Sequence, residues 1–318
     1  MKNLIKVVSF FSGAGLMDFG AKQAGIQIAY ANEFNKKFAP YHAANFHHPD
    51  GSPVVTVKPI HEITKDEILK VLEDKYGDTA IDIVCGGPPC QGYTKLNTGR
   101  KENGSSSRNW LVMEFLKKVE ELNPKVAVME EVPDFLSDKV HYPLFLEEIG
   151  KINYVVKSKV MCALNYEGNS IRERAIFIFV RKDLGKEPVF PKPVMCGRKM
   201  CGEFLDIDSY TSGHFDDRLR YAHEPMTTVT SGSPVRFFKN GVARKPTERE
   251  IMLCQSLDPN SYILPKNHSY STFRKVMGNG VPTRMSYHIF KTIVDEILIL
   301  VPEKVMVTEE ITETTIRK

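Results

Sequence analysis

Residues 5–11 form an apolar run with almost no alternation, and Ser12-Gly13-Ala14-Gly15 follows at once. Unalternated apolar runs of this length are typical of parallel strands covered on both faces. The pattern then predicts a short helix over residues 16–24, ended by Gly25, and a second strand over 26–31 that runs into Asn32-Glu33. Strand, glycine turn, helix, strand and acid, with 20 residues from Gly13 to Glu33, is the layout of a nucleoside-binding half of a doubly wound sheet. There the acid takes the ribose hydroxyls. The glycine spacing is GxG, not GxGxxG, so the pyrophosphate-cradling pattern is incomplete. That favours a cofactor with an adenosine and no pyrophosphate. Taken alone, the stretch also fits a plain glycine turn beside a surface glutamate.

A second strand-to-turn unit carries a thiol. Residues 81–85 are apolar, Gly86-Gly87-Pro88-Pro89 fixes the backbone, and Cys90 stands at the tip. Residues 95–109 follow as a loop rich in Gly, Ser, Asn, Lys and Arg. A rigid turn displaying a thiol before a basic loop suits a nucleophile facing an anionic substrate. Helices are predicted over 34–46, 64–76 and 107–122, and a strand over 126–129 ends on Glu130-Glu131. Gly13 to Gly15, Glu33, Cys90 and Glu130 therefore all fall just past the carboxyl ends of predicted parallel strands. In open α/β sheets ligands bind at that edge.

Residues 155–161 and 175–181 pattern as an antiparallel hairpin with Arg172 and Arg174 at its entrance. From 182 to 242 the periodicity fades, and short strands are expected at 226–230 and 235–238. A helix over 246–257 opens on Thr247, with glutamates in its first turn. Gly278-Asn279-Gly280 is expected to form a second glycine turn, and a last helix covers 284–300. The expected organisation is a catalytic domain at 1–181, a small domain at 182–245, and a segment at 246–318 that returns to the first. The fold class is α/β, a doubly wound, mixed and mostly parallel sheet with a small second domain.

Composition narrows the setting. No apolar run approaches the roughly 18 residues of a membrane span, and the first strand passes straight into its glycine turn, so no secretory signal is expected. Six cysteines without CxxC pairs fit a reduced, cytoplasmic location. Cys196 and Cys201 lack further zinc ligands, and no metal is expected. Residues 181–245 carry 12 Lys and Arg against 8 Asp and Glu, which accounts for the whole net charge of +4. That is a modest footprint for a polyanion.

Cys90, Glu130 and Arg174 bring a thiol, a carboxyl and a guanidinium from distant parts of the chain to one edge. A thiol attacks as thiolate, and an adjacent acid can protonate a ring nitrogen while the thiol adds to the ring. The segments FSGAGLMDFG, GGPPCQGYTKLNTGR, MEEVPDF, RERAIFIFV, RKPTEREIMLCQ and MGNGVP stand in the order of the motifs of DNA cytosine-5 methyltransferases of prokaryotic or phage type, from Val8 to Pro282. The chain resembles that family over nearly its whole length. The resemblance implies a class I S-adenosylmethionine-dependent methyltransferase fold with a small target-recognition domain. It implies S-adenosylmethionine at Phe11, Ser12, Gly13, Ala14, Gly15, Leu16, Glu33, Pro88 and Asn279, with S-adenosylhomocysteine as product. Cys90 would add to ring carbon 6 of a flipped-out cytosine, Glu130 would protonate ring nitrogen 3, and Arg174, with Arg172, would bind the base. Gln91, Lys95, Arg100 and Arg108, in the loop that would close over DNA, and Arg198, Lys199, Arg218, Arg220 and Arg236 in the small domain would meet double-stranded DNA. A monomer, accompanied by a cognate restriction endonuclease, is the implied assembly.

The chain departs from the family pattern at Glu131, where an Asn ordinarily fixes the turn before the cysteine. Two carboxyls both facing the base would make Glu130 harder to ionise. Other departures are Ser9, Leu16 and Ser170, and the acid expected to meet the adenine amino group is not evident around residues 59–62. A tRNA cytosine-5 methyltransferase on the same scaffold would carry a Cys-Phe-Thr tripeptide, which is missing. A catalytically silent DNA-binding homologue would not need Cys90, Glu130 and Arg174 intact. A nicotinamide oxidoreductase fails on the glycine pattern.

Overall fold

The computed structural model describes residues 4–89, 111–194, 199–212, 218–232 and 235–299. Its centre is a seven-stranded sheet. In chain order the first half runs β1 (Lys6–Phe10), α1 (Leu16–Gln23), β2 (Gln27–Asn32), α2 (Ala39–Ala43), β3 (Val55–Thr56), α3 (Lys65–Tyr76), β4 (Ile83–Gly86), α4 (Leu111–Leu122) and β5 (Val126–Glu131). After α5 (His141–Lys151) come β6 (Tyr154–Cys162), β7 (Ser170–Ile171) and β8 (Glu173–Arg181). The sheet order is β3-β2-β1-β4-β5-β8-β6. Strands β1 to β5 pair in parallel, whereas β8 is antiparallel to both β5 and β6. The chain moves outward in one direction from β1 and in the other from β4, so the switch point lies between those two strands. Ligand crevices form there, outside the strands' carboxyl ends.

Period-two alternation divides the core into two layers. Val7, Cys85, Val128 and Ile176 face the layer containing Phe273, Met285 and Ile289, while Val8, Val84, Met129 and Phe177 face the layer containing Leu72, Phe115 and Phe145. Helix α3 starts where Thr64 caps it by accepting the Glu67 N–H, and it ends on Gly77 at φ 73°. Buried Met285, Ile289, Phe290 and Ile293 recur at helical spacing in α8 (Thr283–Ile293), each contributing about 1.5–3 kcal/mol by leaving water. A π-helical turn, Val294–Leu298, continues it.

Strands β9 (Ser209–Thr211), β10 (Arg220–Tyr221), β12 (Arg236–Lys239) and β13 (Val242–Arg244) form a separate small sheet in the order β10-β9-β12-β13, and β11 (Met226–Thr227) lies outside it. This sheet has its own core around Cys201, Tyr210, Met226 and Phe237, to which α6 (Glu248–Cys254) adds Cys254.

Three expectations need correction. The helix expected over 34–46 is only α2, because Glu33 and Asn35 side chains take the N–H groups of Asn35 and Lys37, and Pro40 favours the first helical turn. The strand expected at 226–230 pairs over two residues only, in parallel with β7 and not with the small sheet. Gly278-Asn279 is not a turn but the last residues of α7 (Tyr270–Asn279). Gly278 serves close approach instead, since a Cβ there would overlap the backbone of Thr230 and Ser231. Helix α5 was not anticipated. Phe145 is its one fully buried position, whereas Leu144 and Leu146 are exposed, so its pattern is faint.

Candidate active site

β1 ends at Phe10 and the chain turns sharply into α1. Phe11 and Gly13 take φ 55° and Gly15 φ 79°. A positive φ is nearly free for glycine but costs a phenylalanine about 1–3 kcal/mol, so the surroundings must hold the turn. Ser12 N–H donates to Asn32 O at 2.9 Å and Gly15 N–H to Ser12 O at 2.8 Å. A Cβ on Gly15 would collide with the Phe46 ring and lie 3.1 Å from His42 Cδ2. The C-terminal segment closes the other side: Tyr262 donates its hydroxyl to Ala14 O at 3.2 Å, and a Cβ on Gly280 would lie 2.8 Å from Leu16 Cδ2. Asn279 is exposed beside that contact, and Pro88 is buried just past β4.

Glu33 stands past the end of β2. Its Oε2 accepts the Gly13 N–H at 2.9 Å and its Oε1 the Asn35 N–H at 2.7 Å. Burial raises its pKa, while the Asn35 and Gly13 N–H groups pull the other way. The carboxyl is thereby tied to the glycine turn from which it is 20 residues distant in sequence. Ser12 Oγ, in the same turn, is buried with no hydrogen-bond partner among the described residues. Such an orphan, next to a tethered acid, suits a polar ligand such as an adenosine-bearing cofactor. Phe34, directly after Glu33, is 66% exposed. Large exposed aromatics offer a stacking face. Phe34 lay hidden in the expected helix and was missed; its position next to the acid was the available signal.

Across the switch point, Arg174 Nε on β8 lies 2.5 Å from Glu130 Oε1 at the end of β5. Glu130 Oε2 lies 2.7 Å from where a Cβ of Gly87 would be, so only glycine lets this carboxyl settle on the chain just past β4. The strand ends thus bring together Gly87, Glu130 and Arg174, three residues short of Cys90. Cys90, Gln91, Lys95, Arg100, Arg108 and Arg198 fall outside the described residues.

Glu131 does not share a face with Glu130. Strand alternation turns it to the other side, where it is 1% exposed. One oxygen accepts the Val132 N–H at 3.0 Å, and the other is buried without a hydrogen-bond partner among the described residues. Burial, then the charge of Glu130, pushes its pKa well above the usual carboxyl range.

Arg172 is placed apart from the Glu130–Arg174 pair. It is 1% exposed and donates to Val229 O at 3.4 Å and Gly278 O at 2.9 Å, bracing the segment after β11 against α7. Arg220 and Arg236 flank β9 at one end of the small sheet, opposite Tyr210 and Thr211. Lys199 is exposed, and Arg218 pairs with Glu224 at 2.6 Å.

Comparison with known proteins yields consistent matches. The Type II methyltransferase M1.HphI of Haemophilus parahaemolyticus is 30% identical over 244 residues, covering 74% of this chain and 61% of that protein. Matches to M.FnuDI of Fusobacterium nucleatum and M.XorII of Xanthomonas oryzae span 51% and 45% of their lengths. The chain thus spans about half the length of these relatives. It matches M.NgoPII of Neisseria gonorrhoeae at 28% identity, covering 90% of this chain and 94% of that one. Among solved structures, the Entamoeba histolytica methyltransferase EhMeth superposes with a TM-score of 0.66 at 16% identity, over 92% of this chain and 98% of that one. At that identity the likeness shows the fold. The family model for C-5 cytosine-specific DNA methylase matches residues 5–200, and with that match the chain belongs to this family.

Proposed function

We propose that this protein is a sequence-specific DNA methyltransferase that moves the methyl group of S-adenosylmethionine to carbon 5 of a flipped-out cytosine. The observation that carries the reading is the convergence of Glu130, Arg174 and Gly87 beside the turn that runs to Cys90, on the same sheet edge as the glycine turn tethered by Glu33. Relatives named as Type II methyltransferases support it.

S-adenosylmethionine supplies an electrophilic methyl group and leaves as S-adenosylhomocysteine. Glu33 would receive the ribose hydroxyls, Phe34 would stack on the adenine, and Ser12 Oγ would find its missing partner. The cytosine must leave the stack, because its ring carbons are inaccessible within a duplex. Cys90 adds as thiolate to ring carbon 6, which makes carbon 5 nucleophilic. Glu130 protonates ring nitrogen 3 and so takes up the charge that builds there, worth a factor of about 10²–10⁴ for a positioned acid. Arg174 holds Glu130 through Nε and has further donors for the base's exocyclic oxygen. Loss of the carbon 5 proton and departure of the Cys90 sulfur restore the aromatic ring. Lys199, Arg220 and Arg236 would contact the duplex, mostly at phosphates, which position without specifying.

The test is transfer of labelled methyl from S-adenosylmethionine to duplex DNA, with Cys90→Ser alongside. Label in DNA with the unaltered protein and background label with the variant support the reading. Equal label with both would sink the cysteine mechanism, and label in tRNA but not in duplex DNA would move the substrate to RNA.

A further inference from the structure

Beneath the glycine turn lies a polar cluster that the proposed chemistry does not use. Asp18 on α1 and His42 on α2 are both 0% exposed, and His42 Nε2 lies 2.8 Å from Asp18 Oδ2. The other Asp18 oxygen accepts from the thiol of Cys85 on β4 at 3.9 Å, and that thiol is kept protonated by burial and then by the charge of Asp18. The imidazole stacks on Phe46, with centroids 4.5 Å apart, and its Cδ2 edge borders the space above Gly15. Its Nδ1 is buried without a hydrogen-bond partner among the described residues. A buried polar pair in a layer otherwise built of aliphatic and aromatic side chains costs desolvation that a purely apolar pair would avoid.

We propose that Asp18 and His42 are positioning residues for the cofactor: Asp18 orients the imidazole, and the imidazole edge sets Gly15 and with it the Gly13 N–H that holds Glu33. The inference rests on the assignment of Gly13, Gly15 and Glu33 to S-adenosylmethionine. The chain of contact is continuous. Gly13 donates to Glu33, Gly15 is walled by His42 and Phe46, and His42 is fixed by Asp18. His42 also lies close enough to Glu33 for its charge to oppose the effect of burial on that carboxyl. Through Cys85 the same aspartate reaches β4, two residues before Gly87, so one carboxylate links the cofactor turn to the strand that leads to Cys90.

The experiment uses the full chain. His42→Phe keeps the stack on Phe46 but leaves Asp18 buried with the Cys85 thiol and without the imidazole, which can prevent folding. The double variant Asp18→Leu with His42→Phe makes the site apolar and preserves its bulk. It is expected to melt close to the unaltered protein while the KM for S-adenosylmethionine and the Kd for S-adenosylhomocysteine rise about tenfold or more, with kcat at saturating cofactor kept. A folded double variant with unaltered cofactor affinity overturns the proposal, as does an equal fall in kcat with KM unchanged. Should neither variant fold, ¹⁵N-histidine NMR of the unaltered protein decides: the His42 ring signals shift on adding S-adenosylhomocysteine if the pair acts on the turn, and unshifted signals overturn it. Glu33→Ala separates the two levels. Cofactor affinity unchanged in Glu33→Ala removes the site assignment itself, whereas affinity lost there but kept in the double variant removes only the positioning pair.

Discussion

Arg174 holds Glu130 through Nε, 2.5 Å from Oε1, across the antiparallel pair β5–β8 at the carboxyl end of β5. The second carboxyl oxygen is left above Gly87. The side chains are 14% and 10% exposed, so the pair is largely desolvated yet still open towards the edge. Arg174 Nη1 donates to Glu173 O at 2.6 Å, so the remaining nitrogen of the fork and the second Glu130 oxygen can serve a third party. A base presenting a ring nitrogen and an exocyclic oxygen side by side fits that arrangement.

Glu130→Gln keeps the shape and removes the titratable proton. Single-turnover methyl transfer should slow by about 10²–10⁴ while DNA binding changes little. Arg174→Lys keeps the charge but loses the planar fork, and should also slow transfer. A Glu130→Gln rate within threefold of the unaltered protein, by order of magnitude no loss at all, would remove the proton-donor role.

Glu33→Gln should raise the KM for S-adenosylmethionine by about 10–100-fold, the worth of a hydrogen bond to a charged group, and leave kcat at saturation in place. The pH dependence has a definite sign. Burial raises the Glu33 pKa, and only the ionised carboxyl is a pure acceptor. Cofactor affinity should therefore fall as pH drops through a value above the ordinary glutamate range, and the Gln variant should lack that fall. Matching pH profiles for both proteins would exclude Glu33 as the titrating group.

Glu131 makes a stability prediction. Its folded-state pKa is raised by burial and by Glu130. Below the unfolded-state value both states carry the proton and nothing is lost. As pH rises above it the unfolded chain ionises first, so this group progressively lowers stability up to its raised folded value. Glu131→Gln should therefore melt higher than the unaltered protein at pH 8, with the gap narrowing towards pH 4, since acid carboxyls titrate from about 4.3 in an unfolded chain. A gap that is constant with pH, or a lower melting temperature at pH 8, would contradict the assignment.

Arg172→Met removes a buried guanidinium that donates to two carbonyls. Leaving those oxygens unpaired should cost about 1–3 kcal/mol each. Gly278→Ala should destabilise as well, because its Cβ meets backbone and not a flexible side-chain end. Thermal melts check both. If Arg172→Met keeps its melting temperature and loses only catalysis, Arg172 acts on the base and not as a brace.

Much of this fold was legible from pattern. Residues 5–11, 26–31 and 81–85 are mostly apolar because both faces of their strands are covered, and β1, β2 and β4 occupy those places. The site's acids and Arg174 were legible for the same reason: strand ends define an edge, and whatever follows them arrives there. The failures were local. Around Glu33, side-chain bonds to backbone N–H groups outcompeted the helix that an apolar pattern alone predicts. Gly278 reads as a turn in sequence, although its glycine is required by the neighbouring Thr230–Ser231 backbone, a tertiary cause with no local signature. Asp18 and His42 each look like surface positions on short helices, and their pairing emerges only once α1 and α2 pack together.

Bisulfite sequencing of plasmid DNA from cells expressing the protein reports activity, target base and site together. With the unaltered protein, one short recurring sequence should hold cytosines protected from conversion, and with Cys90→Ala every cytosine should convert. Complete conversion with both proteins, or the same protection with both, would contradict cytosine-5 methylation through Cys90.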